Sequence, residues 1–92
     1  MRNILVIGAT SAIAQAFIDC IAIGEDKLFL VARDKHKLNA IKNDLRIKKK
    51  TNIETFVLDV NDYNNHDNMF NTAKSYMDKI DIILMAHGTL PN

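Results

Sequence analysis

Four short apolar segments recur along these 92 residues: Ile4-Leu5-Val6-Ile7, Leu28-Phe29-Leu30-Val31, Ile53 with Phe56-Val57-Leu58, and Ile82-Ile83-Leu84-Met85. Between them lie three stretches whose apolar residues repeat at three and four. This alternation constrains the fold more than any single motif does. A run that is continuously apolar suits a parallel strand covered on both faces, and three-and-four spacing marks a helix with one buried stripe. The pattern predicts strands over residues 3–7, 27–31, 52–58 and 81–85, and helices over 12–23, 35–48 and 64–78. The order βαβαβαβ implies an α/β architecture, with a parallel sheet, right-handed crossovers and helices on both faces.

The helices carry their own signals. In the first, Ile13, Phe17, Cys20 and Ile21 recur at helical spacing and predict the inward face, with Cys20 as a buried thiol and Gly24 as the stop. In the second, Leu38, Ile41 and Leu45 share a face, and Asp34 is placed to cap the free N–H groups of the first turn. In the third, the buried stripe is Met69, Phe70, Ala73, Tyr76 and Met77. The basic run of Arg46, Lys48, Lys49 and Lys50 sits where cations favour a helix C-terminus, and reads as a solvated helix end.

Composition narrows the function classes. Hydrophobic residues make up 48% and charged residues 25%, the balance of an ordinary globular domain. Twelve Lys and Arg against eleven Asp and Glu leave a formal charge of +1, which argues against a strongly electrostatic nucleic-acid binder. A single cysteine allows no internal disulfide. There is no secretory pattern, and the apolar runs are far short of the about 20 residues a membrane helix needs. The expectation is a cytoplasmic protein with no membrane partner. No spacing of His, Cys, Asp and Glu suggests a metal site, and His36 and His66 read as helix-surface residues.

In a parallel sheet of this kind, ligands bind beyond the carboxyl ends of the strands, where strand order reverses. Four segments end there. After the first strand, Gly8-Ala9-Thr10-Ser11-Ala12-Ile13-Ala14 is a turn of small residues leading into a helix. Its free N–H groups could cradle the pyrophosphate of a dinucleotide. Gly8 would supply an unusual backbone angle, and Thr10 and Ser11 further donors. Ala12 and Ala14 stand where the dinucleotide fingerprint has glycine. After the second strand, Arg33 fits a ribose 2′-phosphate, so NADP is favoured over NAD. Asp59 follows the third strand, where it could accept from an adenine amino group. Ala86, His87 and Gly88 follow the fourth. Each has a plainer reading: a tight βα turn, a surface arginine, a turn aspartate, and a loop histidine with no evident partner.

Taken together, the chain resembles the N-terminal half of a short-chain dehydrogenase/reductase of the classical branch. The family pattern is T-G-x-x-x-G-x-G, and residues 8–14 look like a variant of it, with three residues between Gly8 and Ala12. Arg33 matches the position used for the 2′-phosphate in NADP-preferring members. Asp59-Val60 resembles the adenine-contacting Asp-Val, and Met85-Ala86-His87-Gly88 stands where the family has Asn-Asn-Ala-Gly. The resemblance implies an incomplete doubly wound, Rossmann-type sheet of strand order 3-2-1-4. It implies a cofactor site at Gly8, Thr10, Ser11, Ala12, Ile13, Arg33, Asp59, Val60, Ala86, His87 and Gly88. It also implies hydride transfer between NADP(H) and an alcohol or carbonyl substrate.

The family's catalytic Ser and Tyr-x-x-x-Lys are missing: Tyr63 is followed four later by Asp67, and Tyr76 by Ile80. The expectation is the cofactor half of an enzyme, inactive by itself, from a split gene, a truncated product or a cut fragment. A small-molecule substrate would belong only to a full-length parent. The alternatives are a non-catalytic nucleotide-binding or regulatory module, and an α/β interaction domain that binds no nucleotide. The apolar edge of the fourth strand predicts self-association or a partner chain.

Overall fold

The computed structural model describes residues 2–21, 26–48, 52–59 and 63–86. Four parallel strands, β1 (Asn3–Ile7), β2 (Lys27–Ala32), β3 (Asn52–Val57) and β4 (Ile82–Met85), form one sheet of order β3-β2-β1-β4. Three helices connect them: α1 (Ala12–Ile21), α2 (Lys35–Lys48) and α3 (His66–Met77), the last preceded by a single 3₁₀ turn over Tyr63–Asn65. This is the predicted α/β doubly wound arrangement, with the strand order reversing at β1. The boundaries differ slightly from the sequence reading. β2 gains Ala32, while β3 and β4 are each a residue shorter. Leu58 has left the strand, yet its N–H still donates to the Ala32 carbonyl at 2.9 Å. Gly24, expected to stop α1, lies outside the described residues.

Strand alternation divides the core into two layers. Ile4, Val6, Leu28, Leu30 and Ala32 pack with Ala14 and Ile18 of α1 and Leu38 and Leu45 of α2. On the opposite face, Leu5, Ile7, Phe29 and Val31 pack with Leu58 and with Met69, Ala73 and Met77 of α3. Both faces of β1 and β2 are therefore dry, which is why their sequences are continuously apolar. The faces predicted for α2 and α3 are the buried ones, with Ile41, Phe70 and Tyr76 partly buried.

The face predicted for α1 is corrected. Ile13 is 71% exposed and Cys20 is exposed, while Ala14 and Ile18 carry the buried stripe with Phe17 half-buried beside them. The buried face is rotated by one residue, about 100° of helix. Ala14 is fully buried in the layer between α1 and the sheet, and a methyl group is small enough to lie against the strands there. Apolar spacing alone ranks a large Ile above an Ala, and so selects the wrong face.

Polar anchoring is concentrated at the amino-terminal end of the sheet. Asp26 is fully buried and takes Arg2 in an ion pair of 2.9 Å. The Asn3 side-chain amide donates to the Met77 carbonyl at 2.8 Å, and the Asn3 N–H to the Asp81 carboxylate at 2.8 Å. These contacts pin the start of β1 to the start of β2 and to the return from α3 into β4. They leave the carboxyl-terminal edge to the connecting loops. The α3-facing side of β4 keeps Ile83 52% and Met85 60% exposed.

Candidate functional site at the carboxyl edge of the sheet

Register puts the predicted segments on one edge. Ile7 is level with Val31 and Met85, and Ala32 with Val57. Gly8, Arg33, Asp59 and Ala86 thus leave the sheet within one or two residues of the same line. The Ala86 N–H donates to the Ile7 carbonyl at 2.8 Å, extending the β1–β4 ladder to the start of the loop. Asp59 is exposed just past Leu58. Val60, His87 and Gly88 lie outside the described residues.

The β1–α1 turn is built from its own hydrogen bonds. Gly8 has φ 83°, a left-handed angle that glycine accepts at little cost. Its N–H and that of Ala9 both donate to the Val31 carbonyl, at 2.7 and 3.0 Å, which ties the turn to the end of β2. The Ser11 N–H turns back to the Gly8 carbonyl at 3.1 Å. The Ser11 hydroxyl accepts the Ala14 N–H at 3.1 Å, the geometry of an N-cap. The Ser11 oxygen accepts from the helix, and its O–H proton stays available to donate, as the sequence predicts. Among the described residues, the N–H groups of Thr10, Ala12 and Ile13 have no protein acceptor. Ala12 is exposed. The exposed Ile13 adds an apolar surface one residue into the helix.

At the next strand end, two neighbouring residues divide their roles. Asp34 caps α2: its carboxylate accepts the Lys37 N–H at 3.1 Å, and its carbonyl accepts the Leu38 N–H at 3.0 Å. That N–H from Lys37 is the main reason the Asp34 carboxyl lies below its usual value of 3.8; desolvation opposes it, and the His36 N–H and the Lys37 and His36 charges add smaller help. A depressed carboxylate stabilises the fold fully above its unfolded value and loses that contribution as pH falls through the folded value. Replacing Asp34 by Ala should therefore lower Tm at pH 7 and change it little near pH 2, a difference that thermal melts at the two pH values would measure. Arg33 is exposed and, among the described residues, makes no ion pair.

This fold has a counterpart among known proteins. The model of the short chain dehydrogenase family matches residues 2–91. The chain belongs to the short chain dehydrogenase family. Members of that family are oxidoreductases that use a nicotinamide dinucleotide. A solved structure described as the tetragonal crystal structure of the bulky-bulky ketone specific alcohol dehydrogenase from Comamonas testosteroni superposes with a TM-score of 0.76 at 24% identity. The match covers 90% of this chain and 34% of that one, so the chain spans about a third of that dehydrogenase. No curated protein matches the chain.

Two features of the turn, at Ala9 and Gln15, are not given by the dinucleotide fingerprint; a third, close packing at Ala14, is. Ala9 is fully buried and pinned to β2, Ala14 is the packing contact, and Gln15 reaches back to donate its side-chain amide to the Thr10 carbonyl at 3.1 Å. Small-residue spacing hinted at Ala9 and Ala14. Nothing in the sequence marked Gln15.

Proposed function

We propose that the chain is the NADP(H)-binding half of a short-chain oxidoreductase. The full protein would move hydride between NADP(H) and an alcohol or carbonyl substrate. One observation carries this: the turn lies on the same sheet edge as Arg33, the Ala12 and Ile13 N–H groups and Arg33 have no partner among the described residues, and Asp34 is occupied as a helix cap. The N–H groups would hold the pyrophosphate, and Arg33 would take the 2′-phosphate through charge-assisted hydrogen bonds. Asp34, drawn into α2, is a poor acceptor for the 2′-hydroxyl of NAD. The positive φ of Gly8 and the small, exposed side chain of Ala12 fit such a group. Asp59 and Val60 would border the adenine, with Ala86, His87 and Gly88 along the adjoining ribose. When bound, the nicotinamide gives or accepts the hydride.

Within these 92 residues no Tyr-x-x-x-Lys occurs, so the groups that move the proton would come from outside them. The same reading has the outer edge of β4 covered by a further strand, a second copy or a partner chain, in a cytoplasmic setting.

The test is an equilibrium titration followed by nicotinamide fluorescence. The protein should bind NADPH more tightly than NADH and turn over neither. Arg33→Ala should weaken NADPH by about tenfold, the lower end for a hydrogen bond to a charged group, and leave NADH unchanged. Equal affinities in the unaltered protein, or an NADPH affinity indifferent to Arg33→Ala, would overturn the NADP reading. Turnover by the purified chain, free of contaminating reductases, would overturn the assignment as a cofactor half.

A further inference from the structure

Gln15 is exposed on the first turn of α1 and takes no part in the core. Its two donors nevertheless hold two successive carbonyls of the loop before it. The main-chain N–H donates to the Ser11 carbonyl at 3.1 Å, the ordinary first bond of a helix. The side-chain amide donates to the Thr10 carbonyl, also at 3.1 Å. The second contact is the unusual one, because it crosses from the helix back over the turn.

Its effect follows from peptide geometry. In a trans peptide the carbonyl of one residue and the N–H of the next point in opposite directions. Fixing the Thr10 carbonyl therefore aims the Ser11 N–H the other way, and that N–H is found on the Gly8 carbonyl at 3.1 Å. The Thr10–Ser11 peptide is gripped at both ends. Fixing the Ser11 carbonyl likewise aims the Ala12 N–H away from that carbonyl, and among the described residues it meets no protein acceptor. Gly8, at the other end of the grip, is itself pinned to Val31.

We infer that Gln15 is a positioning residue for the phosphate-binding turn: its side chain holds the Thr10–Ser11 peptide so that the loop keeps its ligand-accepting shape before any ligand arrives. This deepens the dinucleotide reading of the same turn and rests on it. Gln15 acts through the loop and contributes by preorganisation, lowering the ordering that binding would otherwise require.

The experiment compares the unaltered chain with Gln15→Met, which keeps the length of the side chain and removes the donor, and with Gln15→Arg, which restores a donor. Two quantities are read: NADPH affinity, and amide hydrogen exchange at Ser11 with Leu5 and Leu30 as core references. Gln15→Met should speed Ser11 exchange several-fold, leave the core amides alone, and weaken NADPH by about threefold to tenfold, the range for one neutral hydrogen bond. Gln15→Arg should restore Ser11 protection.

Unchanged Ser11 exchange in Gln15→Met overturns the inference, whether or not affinity falls, because a fall alone would mean that Gln15 touches the ligand directly. Faster Ser11 exchange with unchanged affinity also overturns it. Failure of the unaltered chain to bind NADPH or NADH would sink the functional reading instead. In that case Ser11 exchange in Gln15→Met still decides whether Gln15 holds the loop.

Discussion

Replacing Phe29 by Ala should cost about 4 kcal/mol, the range observed when a buried aromatic is cut to a methyl. Phe29 lies at the centre of β2, fully buried. Its ring is 6.2 Å from Phe56 on β3 and 6.2 Å from Tyr76 on α3, tilted against both. The side chain thus joins an edge strand, a central strand and the helix that covers them, and such ring pairs add to the area they bury. A domain of this size has roughly 5–15 kcal/mol of total stability, so one substitution would remove a large share of it. Urea denaturation followed by circular dichroism would give the value. Phe29→Leu, which keeps most of the volume, should lose much less. A loss below about 1 kcal/mol in Phe29→Ala would mean that α3 does not pack on this face as described.

Replacing Gly8 by Val should abolish dinucleotide binding within the measurable range, a loss of more than tenfold, and cost about 2 kcal/mol of stability. Gly8 sits at φ 83°. A left-handed angle costs an ordinary L-residue roughly 1–2 kcal/mol, and a β-branched side chain is the least suited to it. Relaxing to a negative φ would pull the Gly8 and Ala9 N–H groups from the Val31 carbonyl and displace the loop that carries the Ala12 and Ile13 N–H groups. Binding should therefore fall much further than global stability. Parallel titrations with NADPH and urea melts would separate the two effects. Unaltered affinity in Gly8→Val would show that this turn does not hold the phosphates.

Much of the architecture was legible in the sequence for a specific reason. A strand dry on both faces cannot tolerate polar residues, so β1 and β2 announce themselves as unbroken apolar runs. The edge strands are less clear. β3 presents Asn52 and Val57 to solvent, and β4 exposes Ile83 and Met85. Cap chemistry was equally readable at Asp34, because a carboxylate directly before an apolar-periodic stretch has one strongly favoured use. The start of α3 was not: the Asn-rich segment gives a 3₁₀ turn, and the helix proper starts at His66, two residues beyond the predicted start.

The candidate site divides the same way. Its location followed from topology alone, since alternating strands and helices place every βα turn on one edge. Its residue types, a glycine at the turn and an arginine after β2, were also visible. The roles of individual groups were not. Ser11 and Gln15 are both polar residues near a turn of small residues, and only the folded loop directs one hydroxyl to the Ala14 N–H and one amide to the Thr10 carbonyl.

By itself, then, the sequence determined the element order, the parallel sheet and the edge on which a ligand would sit, because these depend on periodicity and chain connectivity. The tertiary structure decided which face of α1 is buried and which N–H groups remain open. Those outcomes depend on which side chains fit between a helix and a sheet, and on hydrogen-bond directions a few residues apart. Local spacing encodes neither.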